Sequence, residues 1–362
     1  MVPTLSLLLS LSLAGCGERA FRMSTEPGVV LAAGGFAGAD GADPPLRLAW
    51  TAKLDGPPLG GAMLYGSSLL QLTTEPSLFA FDRRTGALRG RRPYEEPSCA
   101  TPAMADSIFI LSQLGSKPKL QAYQAVSGRR LWSRRLNSCL APSVRSDTVL
   151  AAEDAGTLWS LRLRDGAELW RTDVGVRLRT TPVSGDGMAI VGTDSGVVAI
   201  DSESGAVLWR YRLDAGARSR PVVTDAMVFV ASGQGQIAAL TTAGTKVWHQ
   251  RIEGIPTRAM ALSRGYLVVG SSDRGVYALD ASTGAIRWRF ESKGVFTGGP
   301  TATARTVYCA GSDYHVYGLD IESGSVTWKY RLDGPAIEPV LVGRQIVSVA
   351  SEEKTLYGFA AP

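Results

Sequence analysis

One sentence of this chain is written twice: "GVYALDASTGAIRW" runs from Gly275 to Trp288, and "HVYGLDIESGSVTW" runs from His315 to Trp328, 40 residues later. Turn glycines extend the series at Gly86, Gly128, Gly166, Gly205, Gly244, Gly284 and Gly324, with intervals of 42, 38, 39, 39, 40 and 40 residues. A unit of that length cannot bury its own apolar face, so the period restricts the chain to a solenoid or a closed propeller. Four residues after each glycine stands a tryptophan (Trp132, Trp170, Trp209, Trp248, Trp288, Trp328), except after Gly86, where Gly90 takes the place.

Short runs precede the glycines: "LFAFD", "LQAYQ", "LWSLR", "VVAID", "IAAL", "VYALD" and "VYGLD", with a last "LYGF" at Leu356 to Phe359. Their β-branched, aromatic and small residues lack helical spacing and predict strands. Connectors such as "DASTG" and "DSESG" supply an Asp to bond nearby amides and a Gly free to take positive φ, so each is a hairpin turn. A second hairpin in each unit, as in "VVGSSDRGVY", completes a four-stranded antiparallel meander. Eight such strands face seven turn glycines, because the chain stops after "LYGFAAP". The missing outer strand is expected at the other end, in "PPLRLAWTAKLDG" with Trp50. Pairing it with Leu356 to Phe359 closes an eight-bladed, all-β propeller over 46–362 and leaves no strand edge open. A solenoid would need atypical capping repeats, and none is visible.

Composition agrees with a globular, turn-rich chain: 45% hydrophobic, 20% charged, and 41 glycines among 362 residues. Past the N-terminus no stretch is apolar enough to span a bilayer. The net charge of +5 is dispersed rather than gathered in a block, so no nucleic-acid partner is expected. The start, "MVPTLSLLLSLSLAGC", is an apolar run ending in Leu13, Ala14, Gly15 and Cys16, the order of a bacterial lipoprotein signal. Residues 1–15 are read as that signal and Cys16 as the lipidated first residue of a membrane-tethered chain. Small and turn-prone residues over 16–45 are read as a flexible tether.

The pattern G-x-V-Y-A-L-D-x-x-T-G-x-x-x-W resembles the repeat named after pyrroloquinoline quinone, over about 315 residues. The resemblance implies that the tryptophans dock between neighbouring blades. Its family contains quinoprotein dehydrogenases and non-enzymatic propellers, among them lipid-anchored members that serve outer-membrane β-barrel assembly. A dehydrogenase would need Ca²⁺ held by oxygen ligands and, in many members, adjacent cysteines. This chain has no adjacent cysteines and no clustered Asp/Asn run, and its aspartates recur at turn positions. His249 and His315 fall in different blades without a Cys or His at ligand spacing, so no metal or cofactor is expected. Sequences for a P-loop, a dinucleotide fingerprint or G-x-S-x-G are missing as well.

Unevenness lies in the segments that join blades. Cys99 and Cys139 each stand three residues before a proline, Pro102 and Pro142, at the same place in successive repeats. They are a candidate disulfide, with two separate buried thiols as the alternative. Cys309, in "TVYCAG", reads as an inert core residue. The next joining segments place Arg177, Arg179, Arg218, Arg220 and Arg258 on one mouth of the ring, with Leu178 between two of them. Arginine beside an exposed apolar residue is the composition of a protein interface. The resemblance implies that these loops engage a periplasmic barrel-assembly protein; "VRLRTTP" matches, whereas this chain has Ala217 and the basic Arg218 and Arg220 where those relatives are acidic.

The expectation is therefore a monomeric propeller lipoprotein on the periplasmic face of the outer membrane, binding an envelope protein complex without covalent chemistry. Alternatives are a subunit of another envelope machine, a polyanion-binding protein, or a degenerate quinoprotein dehydrogenase.

Overall fold

The computed structural model describes residues 31–32, 35–36, 41–94 and 96–362. Eight antiparallel sheets form the ring expected from the repeat. Blades 1–7 span 63–93, 103–135, 143–173, 183–212, 222–251, 256–291 and 301–331. Blade 8 combines 341–360 with the N-terminal strand Arg47–Lys53. In blade 4 the strands run Val183–Gly185, Met188–Thr193, Gly196–Asp201 and Val207–Arg212 from the channel outward. No helix among the described residues is long and apolar enough to cross a membrane.

Each middle strand is buried on both faces, which explains why "MAIVG" is apolar throughout rather than alternating. Ala189 and Val191 pack toward blade 3. Met188 and Ile190 pack toward blade 5. The core is thus a series of slabs between adjacent sheets, and the outermost strands carry exposed residues such as Leu208 and Val247.

The repeated tryptophan and glycine belong to one contact. Trp132, Trp170, Trp209, Trp248 and Trp288 donate their indole N–H to a turn carbonyl of the next blade (Leu163, Ser202, Thr242, Ala281, Ile321) at 2.8–2.9 Å. The glycine of that same turn lies flat against the ring, with a positive φ. Trp50 extends the pattern across the closing seam by donating to Arg83 O at 3.1 Å. Where blade 1 has Gly90 in place of Trp, Arg92 covers Gly128 of blade 2. It stacks over Tyr94 and Tyr123 with ring distances of 5.9 and 5.3 Å.

Closure uses the strand expected: Arg47–Lys53 pairs antiparallel with Thr355–Ala360, Trp50 opposite Gly358. Residues further N-terminal also touch the ring. Leu31–Ala32 pairs with Met63 and Leu64 on the inner edge of blade 1, and Gly35–Phe36 runs parallel to Thr301 and Ala302 on the inner edge of blade 7. Ala42 N donates to Gly343 O at 2.8 Å and Ala42 O accepts from the Tyr308 hydroxyl at 2.6 Å. These segments lie within 16–45, the span read as tether. Their pairing is physically natural, because an inner strand edge presents unmet backbone groups that a passing chain can satisfy. The signal over 1–15 and the lipidation position Cys16 lie outside the described residues.

Candidate functional site

The segments joining an outer strand to the next blade's inner strand all pass the hairpin between the second and third strands. Bridges Pro58 to Thr73, Ser98 to Gln113, Leu178 to Thr193, Ala217 to Ser232 and Phe296 to Gly311 hold them there. Connectors and hairpins therefore make one rim. The contacts of Ala42 and Asp43 with Gly343 and Thr303, which sit at turns between first and second strands, lie on the opposite rim.

Arg177, Arg179, Arg218, Arg220 and Arg258 are exposed on the connector rim. Three of them converge. Arg220 N donates to Arg258 O at 2.8 Å across adjacent connectors, and the Ser219 hydroxyl donates to Thr257 O beside it. Burial, then the charge of Arg258, lowers the pKa of Arg218. Arg220 keeps solvent-accessible surface, yet protein encloses it at the channel mouth and burial lowers its pKa. Among the described residues none of Arg218, Arg220 and Arg258 forms an ion pair within 4.0 Å. Glu338 lies near enough to Arg258 to feel its charge, and the remaining excess of positive charge favours an arriving anion. Arg179 is different, since Asp194 of the neighbouring hairpin pairs with it.

Leu178 corrects the expectation of an exposed apolar anchor. It is only 2% exposed and packs among Leu150, Leu158 and Val191 between blades 3 and 4. Its bridge to Thr193 turns the side chain inward while Arg177 and Arg179 alternate outward, as the period of an extended strand requires. The large apolar residues that the rim does expose, among the described residues, are Ile255 (46%), Tyr314 (44%) and Ile337 (36%).

Glu338 was not anticipated. Burial raises its pKa, against which the Gly60 amide and the Arg258 charge act. It precedes Pro339 as Arg220 precedes Pro221, so comparing pre-proline residues along the connectors is the signal that finds it.

Cys99 is half-buried and Cys139 exposed, and both are reduced here. They lie side by side on neighbouring connectors, with Cys99 Sγ 3.4 Å from Ser138 O. Cys309 is buried among Tyr317, Phe296 and Leu319. His249 stands on the outer strand Lys246–Arg251, and His315 Nδ1 lies 2.7 Å from Asp313 O. The described residues bring together no three His, Cys, Asp or Glu side chains able to hold a metal ion. Arg218, Arg220 and Arg258 set guanidinium groups beside the Glu338 carboxylate at the mouth, a cationic setting that does not fit the several oxygen ligands of a Ca²⁺-dependent quinone centre.

The fold has solved counterparts. BamB from Moraxella catarrhalis matches with a TM-score of 0.74 at 18% identity, over 87% of this chain and all (100%) of that one. A quinohemoprotein alcohol dehydrogenase from Pseudomonas putida HK5 matches with a TM-score of 0.72 at 12% identity, over 87% of this chain and 76% of the enzyme. Identities this low carry the fold alone. In sequence, the outer membrane protein assembly factor BamB of Xanthomonas campestris pv. campestris is 29% identical over 125 residues, 30% of this chain and 31% of the relative. The aligned part spans less than a third of the curated relatives it matches. The family model is broader, matching residues 43–181, 154–259 and 234–361, and by that coverage of the propeller the chain belongs to the family described as outer membrane protein assembly factor BamB.

Proposed function

We propose that this chain is a non-enzymatic periplasmic scaffold that assists outer-membrane protein assembly, docking a protein partner on its connector rim. The observation that carries the reading is the trio Arg218, Arg220 and Arg258, which lacks ion pairs among the described residues and shares its rim with exposed Ile255 and Ile337. A partner strand or loop bearing carboxylates supplies the counter-charges, while its apolar side chains cover the isoleucines. Membership of the BamB family supports a barrel-assembly complex as the partner. Lipidation at Cys16 would hold the protein on the periplasmic face of the outer membrane, with the propeller monomeric.

The test is a cross-linking pull-down from native envelopes, comparing wild type with Arg218→Glu/Arg220→Glu/Arg258→Glu. The expected result is capture of the barrel-assembly protein by wild type and a loss of at least ten-fold in the variant, whose unfolding midpoint is unchanged. Capture of a different envelope complex, or of a polyanion alone, removes the barrel-assembly assignment. Equal capture by both forms removes the rim.

A further inference from the structure

Two neighbouring connectors, 96–102 and 136–142, are built alike around a Ser-Cys pair. The Ser98 hydroxyl donates to Ala100 O at 3.0 Å and Ser112 O at 2.7 Å. The Ser138 hydroxyl donates to Leu140 O at 3.2 Å and Ala152 O at 2.5 Å. Each serine thus ties its connector to its own blade's second strand and fixes the cysteine that follows. The Cys99 thiol then reaches Ser138 O at 3.4 Å, across the gap between blades, at the residue that precedes Cys139 in the chain, and lies near enough to the Cys139 thiol for that group to raise its pKa. Preorganisation of both backbones, rather than mobility of either, brings the sulfur atoms together.

We infer that Cys99 and Cys139 are a reversible dithiol–disulfide pair that clips blade 2 to blade 3 at the connector rim, oxidised by exchange with a disulfide donor. Exposure orders the steps. Cys139 is open to solvent, so its sulfur loses a proton and attacks the donor's S–S bond, forming a mixed disulfide and releasing one donor thiol. Cys99 loses its proton and attacks the Cys139 sulfur, forming the Cys99–Cys139 bond and releasing the second donor thiol. Two protein thiols are oxidised and one donor disulfide is reduced to two thiols, so the exchange balances. Burial, then the adjacent Cys139 thiol, raises the pKa of Cys99, which disfavours it as the entry nucleophile and suits it to the internal step. The clip itself does not depend on the barrel-assembly reading; an oxidising compartment only makes it persist.

The test uses the purified full-length chain, treated with oxidised glutathione, alkylated, and mapped by non-reducing peptide mass spectrometry. Wild type is expected to yield a linked Cys99–Cys139 peptide, with Cys309 alkylated only after unfolding. Cys99→Ser should stop at a stable glutathione adduct on Cys139, and Cys139→Ser should acquire at least ten-fold less adduct. Reduction should lower the wild-type thermal midpoint by roughly 3–8 °C and leave Cys99→Ser unmoved. A wild type that retains a glutathione adduct on Cys139 without the linked peptide, or that loses no thiols, overturns the pairing.

Discussion

Trp248 and Gly284 occupy one another's space across a blade boundary: a β-carbon on Gly284 would lie 2.5 Å from the Trp248 ring. The same glycine has φ of +75°, and the indole N–H is held by Ala281 O at 2.9 Å, three residues before it. Two demands, ring contact and left-handed backbone, therefore fall on one residue. Gly265 separates them, with φ of +79° and nothing within 4 Å of a built β-carbon. Gly284→Ala should cost roughly 2–4 kcal/mol, against about 1–2 kcal/mol for Gly265→Ala. Denaturant unfolding of the two variants checks this, and equal losses would remove the claim that the tryptophan contact matters.

Arg92 replaces the missing tryptophan of blade 1 over Gly128. Its stem and guanidinium lie against Tyr94 and Tyr123. Arg92→Ala should destabilise the protein by about 1–2 kcal/mol. Adding Gly90→Trp to that variant should recover at least half of the loss, because the indole returns to the place it has in the other blades. A double variant no more stable than the single one would contradict the substitution.

Leu178 and Arg177 are neighbours with opposite orientations. Leu178→Ala should cost about 2–4 kcal/mol from the cavity it opens between blades 3 and 4. Arg177→Glu should stay within about 0.5 kcal/mol of wild type. Partner loss in a Leu178 variant would thus mix unfolding with docking, so charge reversals on the exposed arginines are the cleaner probe. Thermal or chemical unfolding decides, and a neutral Leu178→Ala would restore the exposed-anchor view.

Acid should unfold the ring through its turn aspartates. The Ser204 hydroxyl and amide hold Asp201 below the usual carboxylate range, and the Ser282 hydroxyl and Arg287 do the same for Asp280. For Asp82 and Asp320 burial pushes upward, but hydrogen bonds from Thr85, Arg89 and Arg84 to the first and from Ser323 and Glu322 to the second outweigh it. A folded pKa below the unfolded one stabilises the fold above the unfolded value, and that contribution is lost as pH falls through the folded pKa. Stability should therefore be nearly flat from pH 7 to about 5 and decline below about pH 4. Asp201→Asn combined with Asp280→Asn should flatten that decline in denaturant midpoints measured from pH 7 to 2.5.

The ring was legible because each blade repeats the same local demands: an apolar strand buried twice, an Asp-to-Gly turn, and a tryptophan with its glycine. Even the closing strand could be found, since Trp50 without a preceding turn glycine had to belong to the chain's far end. Side-chain direction within connectors was not legible. Leu178 sits beside two exposed arginines in sequence, and only its bridge to Thr193 shows that it points inward. Which arginines converge was hidden for a related reason, because Arg220 and Arg258 meet across a blade boundary while Arg179 is drawn to Asp194.

The closing strand also sets a timetable. Lys53 Nζ bonds Thr355 Oγ1, a contact between residues 302 positions apart. At ordinary synthesis rates the N-terminal strand waits roughly 15–60 s for its partner to be made. Throughout that interval Trp50 and the strand's hydrogen-bonding edge lack their final neighbours, and blade 8 is the last to assemble. A nascent chain of this kind needs protection from association at that unpaired strand, and removal of Thr355–Ala360 would take from blade 8 the strand that Arg47–Lys53 pairs with.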